Sequence, residues 1–281
     1  MALCKIDYYS RAMQQKMGVC VIIPENKWGY SLADRPTDYR YPTLWLLCGG
    51  GFDHTDWMRY TALELYAAKH GIAVVLPGIS YCGYVNTAEG DYRWWDQIAC
   101  ELPAYLRKVF PLAYERENNF VAGFSMGGYG AFKFAMQHPE MFAACGNFSG
   151  PIGIIPRTPI PPTEKLGQPC LRDDFCESPF ATLWASFGSA AKRRNTPDDN
   201  LYMLEKHVKE GTSLPAFYLA VGAQDPGAQD GYAIMDYMKE LGIPVHDVRD
   251  QGMHDWVYCN RHIQAFLDWI PLHSDYIMED Q

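Results

Sequence analysis

At 281 residues, with 48% hydrophobic and 20% charged side chains, the chain has an ordinary globular composition and room for one large α/β domain spanning 1–281 rather than two full ones. A formal net charge of −9, from 24 basic and 33 acidic residues, argues against nucleic acid or an anionic membrane as the main partner. No apolar run is long enough to span a bilayer, and residues 1–7 lack the basic start and apolar run of a secretory signal. Nine cysteines, odd in number and without a Cys-x-x-Cys pair, point to free thiols in a reducing cytoplasm. Cys170 and Cys176 are the closest two, and their spacing is not that of zinc ligands.

In chain order, residues 3–9 and 17–23 read as two strands, expected to pair antiparallel at the edge of a sheet. Residues 35–42 are polar and proline-bearing, a loop. Leu44-Trp45-Leu46-Leu47-Cys48 is a continuous apolar run, as in a strand buried on both faces. Gly49-Gly50-Gly51-Phe52 follows at once, and residues 56–69 then read as a helix. Residues 73–77 form the next buried strand. Residues 78–91, rich in Gly, Tyr and Asn, read as an ordered loop, and residues 92–110 have helical periodicity that Pro103 must bend or restart. Asn119-Phe120-Val121-Ala122 is a short buried strand, Gly123-Phe124-Ser125-Met126-Gly127 a tight turn, and residues 128–136 a helix. Residues 143–149 are a further strand. Residues 150–200 break the rhythm with many prolines in 151–169 and one or two short helices in 173–189, which reads as an insertion over the sheet: a lid, a binding loop or a plain surface excursion. A strand at 215–222, a helix at 228–241, a last strand at 245–249 and a final helix at 254–270 complete the chain. Such alternation predicts a mostly parallel central sheet with helices on both faces.

The turn around Ser125 reads Gly-x-Ser-x-Gly between a strand and a helix, the arrangement that exposes a nucleophilic serine on a strained backbone with small neighbours. A serine hydroxyl needs a base to take its proton and a carboxylate to orient that base, in the chain order Ser, acid, His. Six histidines follow Ser125. His138 reads as a helix cap, His246 lies in a strand, and His207 and His262 lie in helix-like stretches. Against these and His273, His254 stands in a turn between the last strand and the last helix and is the expected base. Asp225, in the loop after strand 215–222, is the expected acid, ahead of Asp230, Asp247 and Asp250. The oxyanion hole needs backbone N–H groups. One is expected from Met126 and the other from Gly50, with Gly51 and Phe52 as alternatives.

The runs Leu46-Leu47-Cys48-Gly49 with Trp57, Glu101-Leu102-Pro103, Gly123-Phe124-Ser125-Met126-Gly127-Gly128, Gly222 with Asp225, and Gly252-Met253-His254-Asp255-Trp256 resemble the esterase D-like α/β-hydrolases. That group includes S-formylglutathione hydrolases, tributyrin-type, feruloyl and acetylxylan esterases, and mycolyltransferases. The resemblance implies an α/β-hydrolase fold and a serine carboxylesterase that hydrolyses short-chain acyl, acylated-carbohydrate or aryl esters through an acyl-enzyme on Ser125, with no cofactor and no metal. An acyltransferase on the same triad and a non-catalytic binding protein are the alternatives. The expected partner is a small-molecule ester, and a homo-oligomer is left open. Cys48 departs from the Leu-His-Gly of many relatives, and the 150–200 insertion matches no substrate class. Around the site, Phe52, Tyr81 and Trp94, with Cys82 and Tyr84, are candidates for an aromatic substrate pocket or for ordinary packing. Cys82 is also a candidate redox-sensitive thiol. His54, beside Asp53 and Asp56, reads as loop packing.

Overall fold

The computed structural model describes residues 1–25, 36–88, 90–153, 186, 188 and 190–272. The expected insertion therefore lies mostly outside the described residues, as does the Cys170/Cys176 pair. Eight strands form one sheet: β1 (Ala2–Ser10), β2 (Gln15–Ile23), β3 (Thr43–Leu47), β4 (Ala73–Pro77), β5 (Asn119–Phe124), β6 (Ala144–Phe148), β7 (Ala216–Ala220) and β8 (Val245–Val248). Their order is β1-β2-β4-β3-β5-β6-β7-β8. The β1/β2 and β2/β4 pairs are antiparallel and all others parallel, matching the expected antiparallel edge on a parallel sheet. Every residue of β3, β4, β5 and β6 is buried, which requires cover on both faces of the sheet.

The chain runs from β3 outward to β4 on one side, then crosses to β5 on the other. The carboxyl ends of β3 and β5 therefore flank the switch point, where an open α/β sheet leaves a crevice. The triple glycine follows β3 and Ser125 follows β5. Sheet order therefore places the glycine loop and the Ser125 turn at the same edge of the switch point, although they are far apart in sequence.

The elbow helix begins two residues earlier than expected, at Met126, and three further helical stretches differ from the expected bounds, each for a local reason. The helix expected over 56–69 is two, α1 (Asp56–Tyr60) and α2 (Leu63–His70), because Thr61 turns extended and its hydroxyl takes the Trp57 carbonyl while accepting from the Leu63 N–H. The 92–110 stretch begins as α3 (Trp94–Asp96), widens into a π turn (Gln97–Glu101), and resumes as α4 (Leu102–Val109) with Pro103 in its first turn. A proline has no N–H for the carbonyl four residues back, and the wide turn absorbs that mismatch. The elbow helix α5 (Met126–Gln137) is followed by α6 (Ala190–Arg193), α7 (Asn200–Glu210), α8 (Ala228–Glu240) and α9 (Trp256–Trp269). The last begins two residues later than expected because Asp255 caps it, its carboxylate accepting from the Tyr258 N–H at 2.8 Å. That cap leaves His254 outside the helix, in a turn. Helix α2 packs on α9 and α5 on α7. Residues 126–136 of α5 are all buried, as expected of a helix apolar on every side. No helix among the described residues is long and apolar enough to cross a membrane.

Candidate active site

Ser125 stands between β5 and α5 with φ 54° and ψ −121°, a conformation that a non-glycine residue keeps only when its surroundings impose it. Those surroundings are backbone. A Cβ on Gly123 would lie 2.2 Å from the Gly127 carbonyl oxygen, and one on Gly127 would lie 2.4 Å from that of Leu47. The turn closes only if both positions lack a side chain. Ser125 N–H donates to the Phe148 carbonyl at 2.9 Å, which ties the elbow to the neighbouring β6.

His254 Nε2 lies 2.9 Å from Ser125 Oγ, and its Nδ1 lies 2.8 Å from Asp225 Oδ2. The other carboxylate oxygen accepts from the Gly227 N–H at 2.7 Å. The Asp225 side chain is 3% exposed and that of His254 37%. Burial pushes the Asp225 carboxyl up. The hydrogen bonds from His254 and the Gly227 N–H outweigh it, and the net result lies below the ordinary aspartate value. A carboxylate held ionised can only accept, so Nδ1 carries the proton and Nε2 is left free to accept from the serine hydroxyl.

The loops that carry Asp225 and His254 are stitched together. Ala223 N–H donates to the Asp250 carbonyl at 2.7 Å, Gln224 N–H to the Gly252 carbonyl at 3.0 Å, and Gly252 N–H to Gln224 Oε1 at 2.8 Å. His254 rests on Phe124 (ring centroids 4.8 Å apart), Phe124 on Trp256 at 5.3 Å, and Trp256 on Phe52 at 5.1 Å. The aromatic positions of the Gly-x-His-x-Trp and Gly-Phe-Ser runs thus form one cluster of tilted and edge-to-face rings against His254.

Gly50 sits under the Tyr81 ring, where a Cβ would lie 2.1 Å from a ring carbon. Met126 is buried at the start of α5, and its thioether accepts from the Gly83 N–H at 3.3 Å. The structure therefore brings Ser125, His254 and Asp225 together, and brings Phe52 and Tyr81 to the glycine loop. Trp94 is buried, and its ring neighbour among the described residues is Tyr92. For Tyr84 and Cys82 the packing alternative is the one the structure shows. Tyr84 is no pocket wall: it is fully buried, with its hydroxyl donating to the Cys48 carbonyl at 2.8 Å. Cys82 is buried, and burial pushes its thiol up to about 12, as it does that of Cys48, which disfavours the reactive thiolate. The His54 imidazole packs over Gly18 and Gly78, the loop-packing role expected of it. Sequence reasoning missed Lys133, fully buried in α5, whose only signal was one cation in an otherwise apolar helix.

Behind the His254 loop, the buried His262 shares a hydrogen bond of 3.0 Å between its Nδ1 and the Tyr218 hydroxyl and lies 3.4 Å from Asp250, with Arg261 and Tyr258 against it. Burial holds its imidazole well below the usual range, with Asp250 opposing and Arg261 reinforcing. The unfolded chain takes up this proton near pH ~6.5 and the native state does not, so stability is full above that value and is lost as pH falls below it. One such group gives a slope of up to about 1.4 kcal/mol per pH unit. His262→Asn is expected to flatten the fall in thermal stability between about pH 7 and 5, and an unchanged profile would exclude His262 as its source.

The Esterase family model matches residues 10–268. An acetyl esterase of Caldicellulosiruptor saccharolyticus is 26% identical over 275 residues, covering 98% of this chain and all of the relative. Among solved structures, the substrate-bound fluorophosphonate-binding serine hydrolase F (FphF) of Staphylococcus aureus superposes with a TM-score of 0.80 at 30% identity, covering 96% of this chain and 98% of the other. The S-formylglutathione hydrolase FrmB of the same organism gives 0.78 at 29% identity, covering 96% and 99%.

Proposed function

The chain belongs to the Esterase family, as an esterase D-like α/β-hydrolase with carboxylic-ester hydrolase activity, and we propose that Ser125 is its nucleophile, His254 its base and Asp225 the orienting acid. The observation that carries this reading is the pair of hydrogen bonds on the His254 ring, 2.9 Å to Ser125 Oγ and 2.8 Å to Asp225 Oδ2. Ser125 attacks the ester carbonyl as His254 Nε2 takes its proton. Asp225 stays ionised and stabilises the imidazolium. The N–H groups of Met126 and Gly50 take the charge of the tetrahedral oxyanion. His254 then protonates the leaving alcohol, and water, activated by the same imidazole, resolves the acyl-enzyme.

The substrate we propose is an ester with a short acyl group. The acetyl esterase that matches along the whole chain favours that class, and so does Tyr81, whose ring closes over Gly50. We place the enzyme in the cytoplasm, because all seven described cysteines are free thiols and Cys20, Cys48, Cys82, Cys145 and Cys259 are buried. The test combines labelling with a substrate panel. A fluorophosphonate is expected to label Ser125, and acetyl and butyryl aryl esters are expected to turn over faster than octanoyl or feruloyl ones. Labelling elsewhere would overturn the nucleophile, and an octanoyl or feruloyl preference the acyl class.

A further inference from the structure

The two proposed oxyanion donors come from separate parts of the chain, Gly50 after β3 and Met126 at the start of α5. The glycine side has little to hold itself. Gly49, Gly50 and Gly51 offer no side chain, and glycine backbones are free to sample both signs of φ. Two consecutive residues, Gly83 and Tyr84, reach both sides. Gly83 N–H donates to the Met126 thioether at 3.3 Å, and the Tyr84 hydroxyl donates to the Cys48 carbonyl at 2.8 Å. That carbonyl also lies against the elbow, 2.6 Å from where a Cβ on Gly127 would sit.

Both residues have positive φ, 64° at Gly83 and 53° at Tyr84. A fully buried tyrosine in that region is strained, and such strain persists where several contacts impose it. The contacts are present at both ends. The Tyr84 ring packs on α5, where a Cβ on Gly130 would lie 2.5 Å from a ring carbon. The Tyr84 carbonyl accepts from Lys133 Nζ at 2.9 Å. Lys133 is itself fully buried, ion-paired with Asp198 and 4.1 Å from the centre of the Trp95 ring. Arg193 holds the second oxygen of Asp198 and donates to the Asn86 carbonyl at 2.9 Å.

We propose that Gly83-Tyr84 is the clamp that sets the spacing of the two oxyanion donors, with Tyr84 as the positioning residue and Lys133 as its buried anchor. The inference rests on the reading of Met126 and Gly50 as those donors. A planar trans peptide moves as a unit, so a Cys48 carbonyl held by Tyr84 fixes the Cys48–Gly49 plane and the direction in which the glycines leave β3. Oxyanion stabilisation depends on donors already in place when charge develops, and a displacement of about 1 Å removes much of it.

The test is Tyr84→Phe, which deletes one hydroxyl and keeps the ring. For an acetyl aryl ester, kcat is expected to fall about tenfold while KM changes by less than about twofold. Inhibition by an aryl trifluoromethyl ketone, whose serine adduct places an oxyanion in the hole, is expected to weaken by the same factor. A purely structural role would lower the melting temperature and leave kcat and this inhibition constant unchanged at temperatures well below it. Met126→Leu keeps the side-chain volume and removes the thioether acceptor. It is expected to lower kcat about threefold, with the same parallel loss of ketone inhibition, and it decides the matter should Tyr84→Phe fail to fold. Unchanged kcat and inhibition in a folded variant overturn the clamp while wild-type Ser125 still labels with a fluorophosphonate. Failure of wild-type Ser125 to label overturns the catalytic reading beneath it.

Discussion

Ser125→Ala is expected to lower kcat/KM for a short-chain aryl ester by about 10⁴- to 10⁶-fold with little change in folding. The size follows from the elbow. Ser125 Oγ is the group within 2.9 Å of His254 Nε2, and an alanine leaves the imidazole with no proton to take. The parts act as a unit, so the remaining donors recover only what binding and oxyanion stabilisation provide without covalent chemistry. Ser125→Gly separates chemistry from strain. At φ 54° and ψ −121° a serine is held at a cost of about 1–3 kcal/mol, and glycine adopts that conformation freely. After about 0.5–1 kcal/mol for the greater entropy of unfolded glycine, a net gain near 1 kcal/mol remains, roughly 2 °C in melting temperature. An inactive and slightly more stable glycine variant would mean that the backbone strain serves the site rather than the fold. Retention of the wild-type rate in Ser125→Ala would remove the proposed nucleophile altogether.

Gly127→Ala is expected to destabilise the protein by about 3 kcal/mol or more and to abolish most activity. The added methyl would stand 2.4 Å from the Leu47 carbonyl oxygen and 2.6 Å from that of Cys48. Both are backbone atoms where β3 ends, and β3 is hydrogen-bonded to β4 on one side and β5 on the other, so neither can retreat cheaply. What does move carries the Cys48 carbonyl off the Tyr84 hydroxyl and disturbs the glycine loop at the same time. Thermal melts and turnover of an acetyl ester check both parts. A variant with wild-type stability would mean that β3 and the elbow do not approach each other this closely.

The elements were legible where local pattern decides local structure. Short apolar stretches marked β3 and β4, and the strand–turn–helix context of the Gly-x-Ser-x-Gly run marked β5. Where the reading slipped, a side chain had intervened: Thr61 splitting one helix, Asp255 delaying the start of another. The same Asp255 cap is what keeps His254 out of the helix, in the turn that follows the last strand.

By itself, the sequence determined the order of the eight strands, the Gly-x-Ser-x-Gly turn, and a chain order that put Ser125, Asp225 and His254 each after a different strand. These are short-range facts, set by period, turn chemistry and small residues. Only the tertiary structure decided that Tyr84 turns inward to the Cys48 carbonyl, that Lys133 is buried against Asp198, and that Gly83 meets the Met126 thioether. Those contacts join residues 36 to 65 positions apart. No periodicity within any one segment encodes them, because a buried polar group is stable only where a distant segment supplies its partner.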